Sequence, residues 1–325
     1  MFGSLAAFGA YLCLTAVAET HGAWSLVFPR YIGSLEFTEF YGRGRGPLLN
    51  PVANGLVQGL GLCAAVLWWP RLNRPGQMLL ALATLAIFGW GLYSTMTRSV
   101  WMGAAAGLVV IAALAMPRGW RGAVVGTALL VATFSTVVGW EQLLSFKRDK
   151  NVSAEEVAES VRLRPILATV AWHMFLDRPV VGCGFGQYVP ESRPYLADRT
   201  TDLPLEKGLP YKQHNTFLAL LTETGIVGLA FFVGLLASWS HVAWRLWRSE
   251  EADLWVRLVG LLFLAFMGVY LPNAMFHDVS IIPMVNMFLF FLGGAVMSLT
   301  PWVVHLTKPE RLKLWVPDHE LAATH

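Results

Sequence analysis

Residues His214–Leu236, HNTFLALLTETGIVGLAFFVGLL, decide how the rest of this chain is read. The stretch is apolar over the roughly 20 residues that a bilayer crossing needs, and a His-Asn pair opens it. At about 100° per residue, His214, Leu218, Leu221 and Gly225 share one face, with Gly228 at its edge. Gly225 and Gly228 have no side chain, so another helix or a lipid is expected to come close there. His214 stands at the expected helix N-terminus, where unpaired backbone N–H groups and the macrodipole favour an anion.

The composition outward from this stretch has the same character. The chain has 325 residues, 55% of them hydrophobic and 14% charged, with mean hydropathy +0.52, values that soluble domains rarely reach. Eight candidate spans follow: Phe2–Ala18, Pro51–Trp69, Met78–Thr95, Val100–Met116, Gly122–Val138, His214–Leu236 with a helical extension toward Trp247, Leu254–Leu271 and Ile281–Thr300. The expected fold is an all-α polytopic transmembrane bundle. Spans one to five fill residues 1–139, a long hydrophilic segment fills 140–213, spans six to eight fill 214–304, and 305–325 form a tail.

Cations orient the bundle. Arg71 and Arg74, Arg118 and Arg121, Arg245, Arg248 and Arg257, and His305, Lys308, Arg311 and Lys313 all fall on one side if eight spans alternate. The positive-inside rule makes that side cytoplasmic. The opposite side then carries Glu19–Asn50, the turn near Arg98, Trp140–Gln213 and Pro272–Ser280. Trp140–Gln213 holds ten Lys/Arg against ten Asp/Glu, and long loops cross regardless of charge.

Within it, Ala154–Phe175 reads as a helix. Glu155, Glu156 and Glu159 come early, and Ile166, Val170 and Phe175 lie on an apolar side. DRPVVGCGFGQY (177–188) reads as a tight turn, with Pro179 fixing its start and Gly182, Gly184 and Gly186 permitting positive φ. The remainder to Gln213 is expected to be irregular. The GxGxG run lacks the spacing and the strand–helix setting of a dinucleotide fingerprint. Cys13, Cys63 and Cys183 suggest neither a disulfide framework nor a metal cluster. The net charge of +3 gives no support to nucleic-acid binding. Without a basic n-region, no cleavable signal peptide is expected.

The polar residues near these spans each have two readings. Arg98 either marks a span boundary and snorkels, or faces a cavity and binds an anion. Arg162 and Arg164 either lie on a solvated helix face or hold phosphate oxygens bidentately. His214 is either a cap and interface anchor, or a general base or phosphate ligand. Asn215 is a candidate to orient the ring or a sugar hydroxyl. Glu223, about 13 Å deeper by helix rise, is expected to hydrogen-bond to a neighbouring helix. His277 and Asp278 read first as a solvated loop, with the same cavity as the alternative.

Four stretches carry a resemblance: GRGRGPLLNPVANGL (42–56), TMTRSVWMGAAAGLVV (95–110), RPILATVAWHMFLDRPVVGCGFGQY (164–188) and HNTFLALLTETGIVG (214–228). In this order they resemble the O-antigen ligase and polymerase superfamily, over roughly Gly42 to Val296. The resemblance implies an integral membrane glycosyltransferase of the metal-independent GT-C type. It implies a glycan donor linked to undecaprenyl diphosphate, taken at the outer side of the cytoplasmic membrane, and a lipid A-core, polysaccharide or protein hydroxyl as acceptor. By motif, Arg98 and Arg164 would hold the diphosphate, with Arg162 second because the register to Pro179 fits Arg164 better. His214 would activate the acceptor hydroxyl or assist at the diphosphate, supported by Asn215, Gly225 and Gly228. No Asp-x-Asp pair or His/Cys cluster offers a metal site, and no cofactor is expected. Only one span precedes Asn50–Pro51, so a shortened N-terminus or a misassigned start is expected. A polysaccharide polymerase is the alternative of the same chemistry. A polysaccharide transporter component is the alternative of another class, and the inverted repeats and broken helices expected of one are not seen in the sequence.

Overall fold

The computed structural model describes residues 1–68, 75–117, 119–127, 154–198, 201–209 and 211–300. These residues hold helices and 3-10 turns, and no strand among them. The main helices are α1 (Phe2–Thr20), α2 (Pro51–Trp68), α3 (Pro75–Ser94), α4 (Arg98–Ala115), α5 (Ala154–Asp177), α6 (Tyr188–Leu196), α7 (Thr216–Arg248), α8 (Leu254–Phe276) and α9 (Pro283–Ser298). Six of them, α1 to α4, α7 and α8, are long and apolar enough to cross a membrane, and α9 is apolar but shorter. The chain is a polytopic helical membrane protein. Of the expected fifth span, 122–127 is helical, and the rest to Val138 lies outside the described residues, as do Trp140–Ser153 and the tail from His305.

Lipid tails are as apolar as leucine, so close packing, rather than exclusion from water, holds such helices together. α2 is buried along nearly its whole length, and small residues let its neighbours approach. Gly9 of α1 and Gly61 of α2 meet backbone to backbone, and a Cβ on Gly9 would lie 2.8 Å from the Gly61 Cα. Gly59 of α2 and Gly107 of α4 lie against Val269 of α8, and Gly103 of α4 lies against Val269 and Asn273. Gln58 of α2 donates to the Leu12 carbonyl at 3.3 Å, a polar tie within the span region. Phe231, Trp90 and Met287 point outward, as lipid-facing residues do.

One end of the bundle is closed by the segments that join helices. Glu19, in the last turn of α1, pairs with Arg45 at 2.7 Å, both side chains wholly buried. Arg45 also donates to the carbonyls of Ile32, Phe37 and Glu39. Arg43 donates to the carbonyls of Thr95 and Met96 at 3.2 Å each, and the Gly44 amide donates to the Ser94 carbonyl. The α1–α2 connection is therefore fixed onto the turn before α4. α4 and α8 run antiparallel, Gly107 beside Ala265 and Gly103 beside Asn273, so Arg98 is level with the C-terminal end of α8. The α8–α9 connection is in turn tied to the start of α7. The connecting segments that the charge distribution groups together thus share one end.

α4 begins at Arg98, two residues earlier than the expected span, which places Arg98 in the first helical turn. α7 differs more. Its periodicity predicts an unbroken helix through Gly225, yet Gly225 has φ 67° and ψ −170°. This single left-handed residue separates two turns of helix (216–224) from 226–248, which is long enough by itself to span.

Candidate functional site

The site forms where α7 starts, where α8 ends, and where α5 crosses both. Asn215 is the N-cap of α7, its Oδ1 accepting from the Leu218 amide at 2.9 Å. Its Nδ2 donates to the Met275 carbonyl in the last turn of α8 at 3.0 Å. The next residue adds a second tie. The Thr216 hydroxyl donates to the His277 carbonyl and accepts from the Val279 amide, at 3.0 and 2.9 Å. Both ends of the Asn215 amide are therefore engaged with backbone, and its role here is to lock two helix ends together.

His214 lies just outside the helix so fixed, and is exposed. Its ring meets that of His277 edge to face, with centroids 6.5 Å apart. Loss of hydration among surrounding atoms, then the like charge of the Arg164 guanidinium, hold its pKa below the usual 6.5. The ring is thus kept as neutral imidazole near pH 7, the form that accepts a proton. His277 joins this corner, although the loop setting suggests a solvated residue. Asp278 turns to Ser280, accepting from its amide and hydroxyl. Burial pushes its carboxyl up, against the pull of those two bonds.

Arg164 comes from α5, half-buried. Its guanidinium sits 5.3 Å above the Phe276 ring and donates to the Phe276 carbonyl at 3.3 Å. Stacking on an aromatic face holds the planar head while its other N–H groups keep a fixed direction. Arg164 and His214 therefore share one corner. Arg98 stands at the same end on α4, half-buried, level with Phe276. Arg162 lies on α5, and its side chain lies outside the described residues.

What holds α5 against α7 is the glycine-rich turn. Its amides at Cys183 and Gly184 donate to the carbonyls of Thr222 and Glu223, at 3.0 and 2.9 Å. Beyond the break, the Ile226 amide donates back to the Pro179 carbonyl at 2.8 Å. A side chain at Gly225 would collide with the Val180 carbonyl. Gly225 is thus required for backbone angle and for close approach of this turn, and neither a helix nor a lipid occupies the place. Gly228 gives room to Thr224 of its own helix, whose hydroxyl bonds the Leu220 carbonyl. Glu223 accepts from the amides of Gly186 and Tyr188, at 2.8 and 3.2 Å. Its expected hydrogen bond exists, but it goes to the turn and to the first residue of α6. That bond also starts a helix where an irregular segment is expected, because the carboxylate satisfies amides at the N-terminus of α6. α5 packs Leu163, Ile166, Val170 and Met174 inward, with Met174 taking the place expected for Phe175.

Three participants carry weak sequence signals. Thr216 is readable as part of the cap sequence His-Asn-Thr. Phe276 has no signal of its own, since its use depends on α5 crossing it. Gln213 is buried, and its Nε2 has no acceptor among the described residues, leaving a donor beside His214.

No curated protein matches the chain. Residues 80–233, from α3 through Arg98, Arg164 and His214 to beyond the break in α7, match the family described as O-Antigen ligase. Over these residues the chain is similar to the O-antigen ligase family of membrane proteins.

Proposed function

We propose that this protein is an O-antigen ligase-type glycosyltransferase that moves a glycan from an undecaprenyl diphosphate carrier to an acceptor hydroxyl at the outer face of the cytoplasmic membrane. The observation that carries the reading is the corner in which the Arg164 guanidinium and a His214 held neutral stand together over the end of α8. The acceptor hydroxyl attacks the anomeric carbon, and the bond from that carbon to the diphosphate oxygen breaks. His214 takes the hydroxyl proton as general base. Arg164 and Arg98, with Arg162 as a further candidate, hold the diphosphate and meet the charge that develops on it as it leaves. The Gln213 amide is available as an additional donor. Because arginines supply that compensation, the proposed reaction needs no metal ion and should continue in a chelator. The outer-face assignment rests on the basic residues near the opposite helix ends.

The test is transfer of a labelled undecaprenyl diphosphate glycan by membranes containing the protein. Wild type is compared with equally expressed His214→Ala and Arg164→Ala. Loss of product in both variants supports the reading, and full activity in either removes that residue from it. A single added block on lipid A-core identifies a ligase, and a ladder of sizes identifies a polymerase.

A further inference from the structure

The α1–α2 connection does not stay above the helices it joins. The Tyr11 hydroxyl donates to the Phe28 carbonyl at 2.6 Å. Tyr11 lies nine residues before the end of α1, and its hydroxyl reaches up to Thr15, five residues or about 7 Å below that end by helix rise. The chain therefore leaves α1, descends beside it to Phe28 and climbs again, for Ile32 is back near the helix end, where its carbonyl accepts from Arg45. Ala23 is likewise held near that end, its amide donating to the Ala18 carbonyl at 2.8 Å.

The composition changes with depth. At the tip, Leu26 and Phe28 are 75% and 66% exposed, although both are apolar. At the level of the α1 end stand Trp24 and Tyr41, stacked at 5.4 Å, as aromatic residues do at a membrane interface. The nearby cation Arg30 sends its guanidinium to the Trp24 carbonyl at 2.7 Å, back toward that level, as a snorkelling arginine does. Glu36 and Glu39 follow on the return.

Non-helical backbone is costly in hydrocarbon unless its polar groups are met within the protein. Part of the tip meets this condition. The Leu26 and Val27 amides donate to the carbonyls of Ala23 and Trp24, Pro29 has no N–H, and its carbonyl accepts from the Ile32 amide. The Phe28 carbonyl has Tyr11.

We propose that residues 22–34 form a re-entrant hairpin whose tip, Leu26 and Phe28, is immersed in the acyl region of the bilayer beside α1. The partner is lipid, and the buried Glu19–Arg45 pair fixes the hairpin from above.

The test labels single cysteines with an environment-sensitive fluorophore in the full chain reconstituted in vesicles. Phe28→Cys and Leu26→Cys are compared with Glu36→Cys, each with Cys183→Ser, leaving the buried Cys13 and Cys63 in place. A protein with Cys183→Ser alone is the labelling control. Labels at 26 and 28 should emit to the blue of the label at 36. They should be quenched by nitroxides on acyl chains and not by aqueous iodide. Iodide quenching at 26 and 28 equal to that at 36 would put the tip in water and overturn the proposal. Protection from both quenchers would mean that protein covers the tip, and would overturn it equally. Two tip positions keep the outcome readable if one variant fails to insert.

Discussion

Two arginines at the same end of the bundle are used in opposite ways. Arg45 is wholly buried, pairs with Glu19 and has its remaining donors on three carbonyls of its own loop. Arg164 is half-buried, rests on the Phe276 ring and stands beside a histidine whose charging it opposes. The first corner is closed, with every contact internal, and its purpose is shape. The second places a cation next to a histidine in a setting that disfavours a second positive charge. In a membrane protein a cation near the spans must be matched or reach water; Arg45 is matched wholly inside the protein, and Arg164 keeps part of its surface open.

The largest expected effect lies at the closed corner. Arg45→Met should strand the Glu19 carboxylate and cost about 3–5 kcal/mol, read as a large fall in thermal stability in detergent. Glu19→Leu combined with Arg45→Met should recover part of that loss, because no charge is left unpaired. Arg164→Met, by contrast, should leave the melting temperature near wild type while abolishing transfer. A large drop in stability from Arg164→Met would erase the contrast.

The joint between α5 and α7 comes next. Gly225→Ala adds a side chain at a left-handed angle and against a carbonyl, and should destabilise by about 1–3 kcal/mol or more. Gly228→Ala keeps an ordinary backbone angle, but its Cβ would lie 2.4 Å from the Thr224 Cβ, which no rotamer moves, so it should also destabilise, by less than Gly225→Ala. Thermal melts of the two variants side by side would reverse the assignment if Gly228→Ala proved the worse.

Glu223→Gln keeps one acceptor oxygen for the amides of Gly186 and Tyr188 and introduces an NH2 group toward the other. A loss of about 1–2 kcal/mol is expected, visible as faster proteolysis of 178–198 with the spans intact. Equal protection in variant and wild type would show that the carboxylate is dispensable there.

The smallest effect is a displacement along the pH axis. His214 must be neutral to accept a proton, so transfer should fall as pH drops through its lowered pKa, with the acid limb below the usual histidine range. Removing the neighbouring positive charge raises that pKa. The residual activity of Arg164→Gln should therefore show its acid limb at higher pH than wild type. An unmoved limb would mean that the two residues do not sense each other.

Much of this architecture can be read from the amino acids. α1 to α4, α7 and α8 each present enough apolar residues to cross a bilayer, and the glycines of α2 and α4 announce close contacts. The meeting of Arg164 with His214 follows from the family resemblance, and the cap role of Asn215 from its place before an apolar helix. The break at Gly225 is hidden, because apolar residues continue through it at helical spacing and the turn that requires it lies some forty residues earlier. α6 is hidden for the same kind of reason. Its sequence has Pro190 and Pro194, and the carboxylate that starts it belongs to Glu223. The descent of Phe28 beside α1 depends on a hydrogen bond to Tyr11 that no local pattern announces.

The left-handed residue in α7 has a mechanical meaning. The first two turns of that helix form a rigid arm, with His214 at one tip and Gly225 as the pivot, eleven residues or about 16 Å apart by helix rise. A rotation of only about 10° at the pivot would carry the imidazole roughly 3 Å, while a misplacement near 1 Å already costs a reaction heavily. The bonds from Cys183, Gly184 and Ile226 straddle that pivot on both sides and act as its brake. The glycine-rich turn thereby joins the ties of Asn215 and Thr216 in holding His214, the proposed base, in position.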